Sequence, residues 1–126
     1  MQTTRPVFID LWRIKLPATG YVSILHRLSG VLMVISIPIG AYLFDMAVSG
    51  PEGFAAVSAF FSHWFVRLAL LAVVWSLLHH LFAGIRYLLI DLHFGLDRAS
   101  SRRSATATIV LALVALVVVM IVGVLQ

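Results

Sequence analysis

With 126 residues, 62% of them hydrophobic, and a mean hydropathy of +1.07, the chain is too apolar for a water-soluble domain, which runs near half apolar. The absence of cysteine excludes a disulfide framework and any thiolate metal ligand. The net charge of +4 needs no nucleic acid partner, because the way the basic residues are distributed accounts for it.

The N-terminal stretch RPVFIDLWRIKLPATG mixes apolar and charged residues between Pro6 and Pro17. It is too polar to span a bilayer and too short for a stable free helix. An interfacial segment over residues 1–21 is expected, with Trp12 at headgroup level. A loose tail is the plainer alternative.

The first apolar run, about 22–47, is long enough for a membrane-spanning helix, which needs about 20 apolar residues. It is too long for the h-region of a signal peptide, and Arg27 stands at its edge, so a retained span is expected. Its opening, SILHRLSG, brings His26 and Arg27 to where lipid begins, and a charge there needs a partner. Ser23 and Arg27 share a helix face at i, i+4, while His26 points about 100° away. One turn therefore offers a hydroxyl and a guanidinium to one ligand and an imidazole to something beside it. Arg27 snorkelling to lipid phosphate is the competing reading. Pro38, in mid-span, predicts a kink. A short polar loop is expected next, DMAVSGPEGFAAVSAFFSH, and Tyr21 and Trp64 are placed as interfacial anchors.

The second run, about 65–90, contains LLHHLFAGIRYLLIDL. His80, Gly84, Tyr87 and Asp91 recur at helical spacing on one face. His80 lies about 16 Å deeper than Asp91 along the axis, near the middle of a hydrocarbon core about 30 Å thick. A neutral imidazole there has a lone pair and an N–H that both want partners. An interhelical hydrogen bond, a proton relay and haem iron are three ways to supply them. Gly84, one turn away, would clear room for a flat macrocycle, and Arg86 could pair with anionic propionates. His79 is a rival ligand, although adjacent residues diverge by about 100°. Antiparallel spans would bring His26 and Arg27 to the depth of Arg86, where propionates and a quinone carbonyl are the two acceptors to consider. His63 and His93 fall near loop ends and are expected to be solvated.

The third run, about 106–125, has no ionisable residue, and its small residues read as packing positions. Basic residues cluster in the N-terminal segment and around the second loop, with only Arg67 in the first loop and none at the C-terminus. The positive-inside rule then places the N-terminus in the cytoplasm and the C-terminus on the other side. The expected fold is all-α: a single integral-membrane domain, 1–126, of three transmembrane helices with a short interfacial segment.

Two motifs give this pattern a family. Ser23, His26, Arg27, Ser29 and Gly30 form S-x-x-H-R-x-[ST]-G; His80, Gly84, Arg86, Tyr87 and Asp91 follow H-x-x-x-G-x-R-H-x-x-x-D. Tyr87 stands where the second pattern has histidine. Nearly the whole chain resembles the cytochrome b556 subunits of succinate dehydrogenase, complex II, including SGPEGFAAVSAF as the first external loop. The resemblance implies an anchor in the bacterial inner membrane that holds a flavoprotein subunit and an iron–sulfur subunit. It implies one haem b, with His80 as an axial ligand and the other ligand on a second membrane anchor subunit. It places His26 and Arg27 near the propionates, and Ser23 and Arg27 at the site that reduces ubiquinone, with Ile24 and Leu11 as apolar neighbours. A quinol:fumarate reductase anchor and a haem-free proton-conducting membrane protein are the alternative readings.

Overall fold

The computed structural model describes residues 15–125. The expected interfacial segment lies outside them up to residue 14, and Leu11 and Trp12 with it. The described residues form four helices and no strand: α1 (Ala18–Val48), α2 (Pro51–Ser62), α3 (Trp64–Asp91) and α4 (Arg98–Leu125). α1, α3 and α4 are long and apolar enough to cross a membrane. Their 31, 28 and 28 residues span roughly 42–46 Å, so each overshoots a hydrocarbon core of about 30 Å.

Residues other than the apolar ones set the helix ends. α1 begins after Pro17, whose carbonyl accepts from the backbone N–H of Gly20 at 2.9 Å, and it runs unbroken through Pro38. α3 ends in a Schellman motif: the Phe94 N–H donates to Leu89 O at 3.0 Å and the His93 N–H to Ile90 O at 2.9 Å. His93 holds the left-handed position of that motif, with φ of 67°. α4 starts well before the apolar run expected at 106. Asp97 caps it, accepting from the Ser100 N–H at 2.9 Å, and hydrogen bonds from Ser100 hold its exposed carboxyl below the usual range.

The first connection is not the simple polar loop expected from its sequence. Pro51 at the first helical position and Glu52 in the first turn start the 12-residue helix α2. His63 both closes α2 and opens α3. α2 packs against α1 and α3. The bundle itself is built on α3, which packs against both α1 and α4, and α1 also meets α4.

The interior is made of small and polar residues. Ala83, Ala105, Ala112, Ser29, Ser76 and Thr108 are buried, and Val22, Ala83 and Ala105 form the three-helix junction. Large apolar side chains such as Val34, Ile37 and Phe44 face outward. Lipid solvates leucine as well as a protein core does, so helices in a bilayer gain most from close backbone approach.

At the α1–α2 turn, Gly53 lies against the Met46 carbonyl and the Ser49 hydroxyl, leaving no room for a Cβ. Overpacking of this kind costs about 1–3 kcal/mol. Gly53→Ala is expected to lower the thermal unfolding midpoint of the purified protein. Gly40→Ala, with nothing within 4 Å of the new methyl, should leave it level or raise it. Equal midpoints for the two variants would refute the tight approach.

Candidate functional site

The imidazole of His80 on α3 meets α1 at one turn. Its ring stacks on that of His26, with centroids 4.0 Å apart and planes 17° from parallel. Its Nδ1 lies 3.1 Å from Ser29 Oγ and 3.1 Å from the carbonyl oxygen of His26. The Ser29 hydroxyl donates to that same carbonyl at 2.8 Å.

In a neutral ring, these three distances favour one tautomer. A carbonyl only accepts, and the Ser29 proton is already committed to it, so the serine oxygen can only accept from the ring. Nδ1 therefore carries the hydrogen and donates to both oxygens. Nε2 is left with a free lone pair.

Gly30 makes this approach possible. A Cβ there would lie 3.1 Å from His80 Cε1, tighter than ordinary contact. The clearance at Gly84 borders the His26 ring, with His26 Nε2 3.9 Å from where a Cβ would stand. Tyr87 continues the aromatic cluster, 5.2 Å from the His26 ring, and its buried hydroxyl bonds nothing among the described residues.

His79 has the opposite setting. It is fully buried, stacked on Trp75 with centroids 5.1 Å apart, and neither ring nitrogen has a hydrogen-bond partner among the described residues. His80 keeps part of its surface open. Of the two adjacent imidazoles, one is closed in by its own chain and the other can be reached from outside it.

Arg86 is 6% exposed, and its observed hydrogen bonds run to α4. Nε donates to Ser104 Oγ at 3.0 Å, and Nη2 to the carbonyl and hydroxyl of Ser101 at 3.2 and 3.1 Å. Arg86 joins α3 to the first turns of α4.

Ser23 and Arg27 stand one turn apart on α1, half-buried and exposed respectively, with Ile24 also exposed beside them. The structure brings His26, Ser29, Gly30 and His80 together and leaves Ser23, Ile24 and Arg27 on an open face. Leu11 lies outside the described residues. No group of three or more metal-ligating side chains occurs among the described residues, so a metal held by a single imidazole of this chain would need its other ligands from elsewhere. Sequence reasoning had Ser29 and Gly30 only as letters of a motif. The signal that could have found them was their place one turn on from His26.

Residues 1–120 match the family of succinate dehydrogenase/fumarate reductase transmembrane subunits. The chain belongs to that family. It is 34% identical over 119 residues to the succinate dehydrogenase cytochrome b556 subunit of Coxiella burnetii, covering 93% of this chain and 94% of the relative. It is 30% identical over 118 residues to the subunit of the same name from Paracoccus denitrificans, covering 90% and 91%. As a transmembrane subunit of this family, the chain is a multi-pass membrane protein that serves a complex of several subunits.

The Arg86 bonds give a test of how this subunit holds its third span. Hydrogen bonds from a charged donor contribute roughly 1.5–3 kcal/mol each, and some of that returns when the serines find other partners. Arg86→Ala is expected to speed hydrogen exchange at residues 98–104 by 10-fold or more, roughly the 1.4 kcal/mol equivalent. Unchanged protection there would show that α4 is held by apolar packing alone.

Proposed function

We propose that this chain is the haem b-binding membrane anchor of a succinate:quinone oxidoreductase and forms part of its ubiquinone-reducing site. The observation that carries the reading is the paired contact at His80 Nδ1: Ser29 Oγ and the His26 carbonyl accept from the Nδ1–H, which leaves Nε2 with an open lone pair. The stack with His26 covers a face of the ring, whereas ligation uses its edge, so His26 and a metal on Nε2 are compatible. The partial exposure of His80 suits a haem that this imidazole would hold together with a ligand from a second anchor subunit.

A haem b held there supplies a one-electron store beside the quinone. The rest falls to this chain's own side chains. Arg27 stabilises negative charge developing on a quinone oxygen, and Ser23, one turn earlier, hydrogen-bonds a carbonyl and passes a proton. His26 and Arg27 flank the anionic propionates, and Arg86 adds positive potential from its place against α4. Ile24 and Leu11 are the apolar neighbours of the quinone. Arg27 is the only cation on α1 beyond its first turns, so the exposed Ser23–Arg27 face is the surface that meets an iron–sulfur subunit and, through it, a flavoprotein subunit.

The distribution of basic residues supports an orientation with the N-terminus and the α3–α4 turn on the cytoplasmic face of a bacterial inner membrane and α2 on the other face. Both relatives carry the succinate dehydrogenase name, which favours succinate oxidation over fumarate reduction as the working direction.

His80→Ala is expected to remove the b-type absorption band from a purified complex that retains its other subunits. A spectrum equal to wild type would overturn the ligand assignment. Arg27→Ala and Ser23→Ala should keep that band and lose quinone reduction, on the order of 10²-fold in kcat for Arg27. Succinate oxidation with a soluble dye should persist in both. Wild-type turnover with ubiquinone in the two variants would remove them from the site.

A further inference from the structure

We propose that Ser29 is a positioning residue for His80: its hydroxyl oxygen holds the imidazole in one tautomer and sets the electron-donating strength of the ring. This rests on the reading of His80 as a haem ligand.

The bond from Ser29 to the carbonyl three residues back is not unusual in itself. Ser36, Ser49 and Ser62 make the same bond, to Met33, Met46 and Ala59, at 2.8, 2.7 and 2.6 Å. In a helix this is the ordinary way for serine to satisfy its hydroxyl. Those three have no second side-chain partner among the described residues. Ser29 does, because the His80 Nδ1 lies 3.1 Å from its oxygen.

Two features turn that contact into a device. Ser29 is only 2% exposed, so water cannot replace either partner. Its rotor is fixed by the 2.8 Å bond to the His26 carbonyl, which aims the oxygen lone pairs toward the ring. The imidazole N–H is thus shared between two oxygens on one turn of α1, and Gly30 admits the ring to that distance. Ring flipping would bring the carbon Cδ2 to the two acceptors and leave both orphaned in an apolar interior, which costs free energy.

An acceptor on the remote N–H of a ligating imidazole raises the basicity of the other nitrogen. A more basic ligand favours the oxidised metal. Removing the serine oxygen leaves the His26 carbonyl as the sole acceptor, so the ring becomes a weaker donor. The haem potential then moves to more positive values.

The test uses the complete purified complex with Ser29→Ala and Ser29→Thr. Haem per complex, the midpoint potential in a redox titration and the ferric EPR g values are read together. Ser29→Ala should retain the haem, shift the midpoint positive and move the g values, and Ser29→Thr, which restores a hydroxyl, should return both toward wild type. If Ser29→Ala does not assemble, Ser29→Cys replaces it, since a thiol is only a weak acceptor. A midpoint and g values identical to wild type in Ser29→Ala, or Ser29→Thr shifted as far as Ser29→Ala, would overturn the proposal. Loss of haem in Ser29→Ala with retention in Ser29→Thr would support it, and loss in both would assign Ser29 to packing. A wild-type complex without a haem spectrum defeats the ligand reading itself, a result distinct from all of these.

Discussion

A polar group carried into lipid has to find its hydrogen bonds inside the protein, because no solvent is there to provide them. At the α1–α3 contact, one turn of α1 supplies a carbonyl and a hydroxyl to a single imidazole N–H. That satisfies half of the ring. The other half is a lone pair with no partner among the described residues, and the proposed site reading rests on that imbalance. Closing both halves within the chain would have produced only a strong helix–helix bond.

The same economy governs the rest of the bundle. Arg86 is buried, and three hydrogen bonds to Ser101 and Ser104 hold α4 against α3. Around it the contacts are made by alanines and hydroxyls while the bulky residues face the lipid. Side-chain size therefore sets how closely the helices approach, and polar pairs set their register. The Ser29–His80 and Arg86–Ser104 contacts lock α3 to α1 and α4, so the position of His80 depends on both interfaces.

The three spans could be read from sequence because long apolar runs leave few alternatives in a chain of this composition. The apolar run from about 106 reports where lipid begins, whereas Asp97 sets where the α4 helix begins. α2 reads as loop by hydropathy because its 12 residues are too few for a span, although Pro51 and Glu52 mark a helix start. The divergence of His79 from His80 followed from helix geometry, but which one was closed in depended on which helices lay beside α3. A face on one helix shows which residues point together and not what they meet, so Gly84 borders His26 and Arg86 binds α4.

His26 and Arg27 are neighbours in sequence, yet they serve two directions. His26 turns inward onto His80, and Arg27 turns outward with Ser23 onto an open face. On the proposed reading, this split places a haem ligand's support and a quinone's partners on successive residues of one helix turn. A rotation or shift of that turn that improved the fit of Arg27 to a quinone would carry the His26 carbonyl with it, and that carbonyl holds the His80 N–H. The two sites are therefore mechanically linked through a peptide unit rather than through space. On the same reading, the outward face and the Nε2 side of His80, which have no complement among the described residues, are the two places where another chain would complete the site.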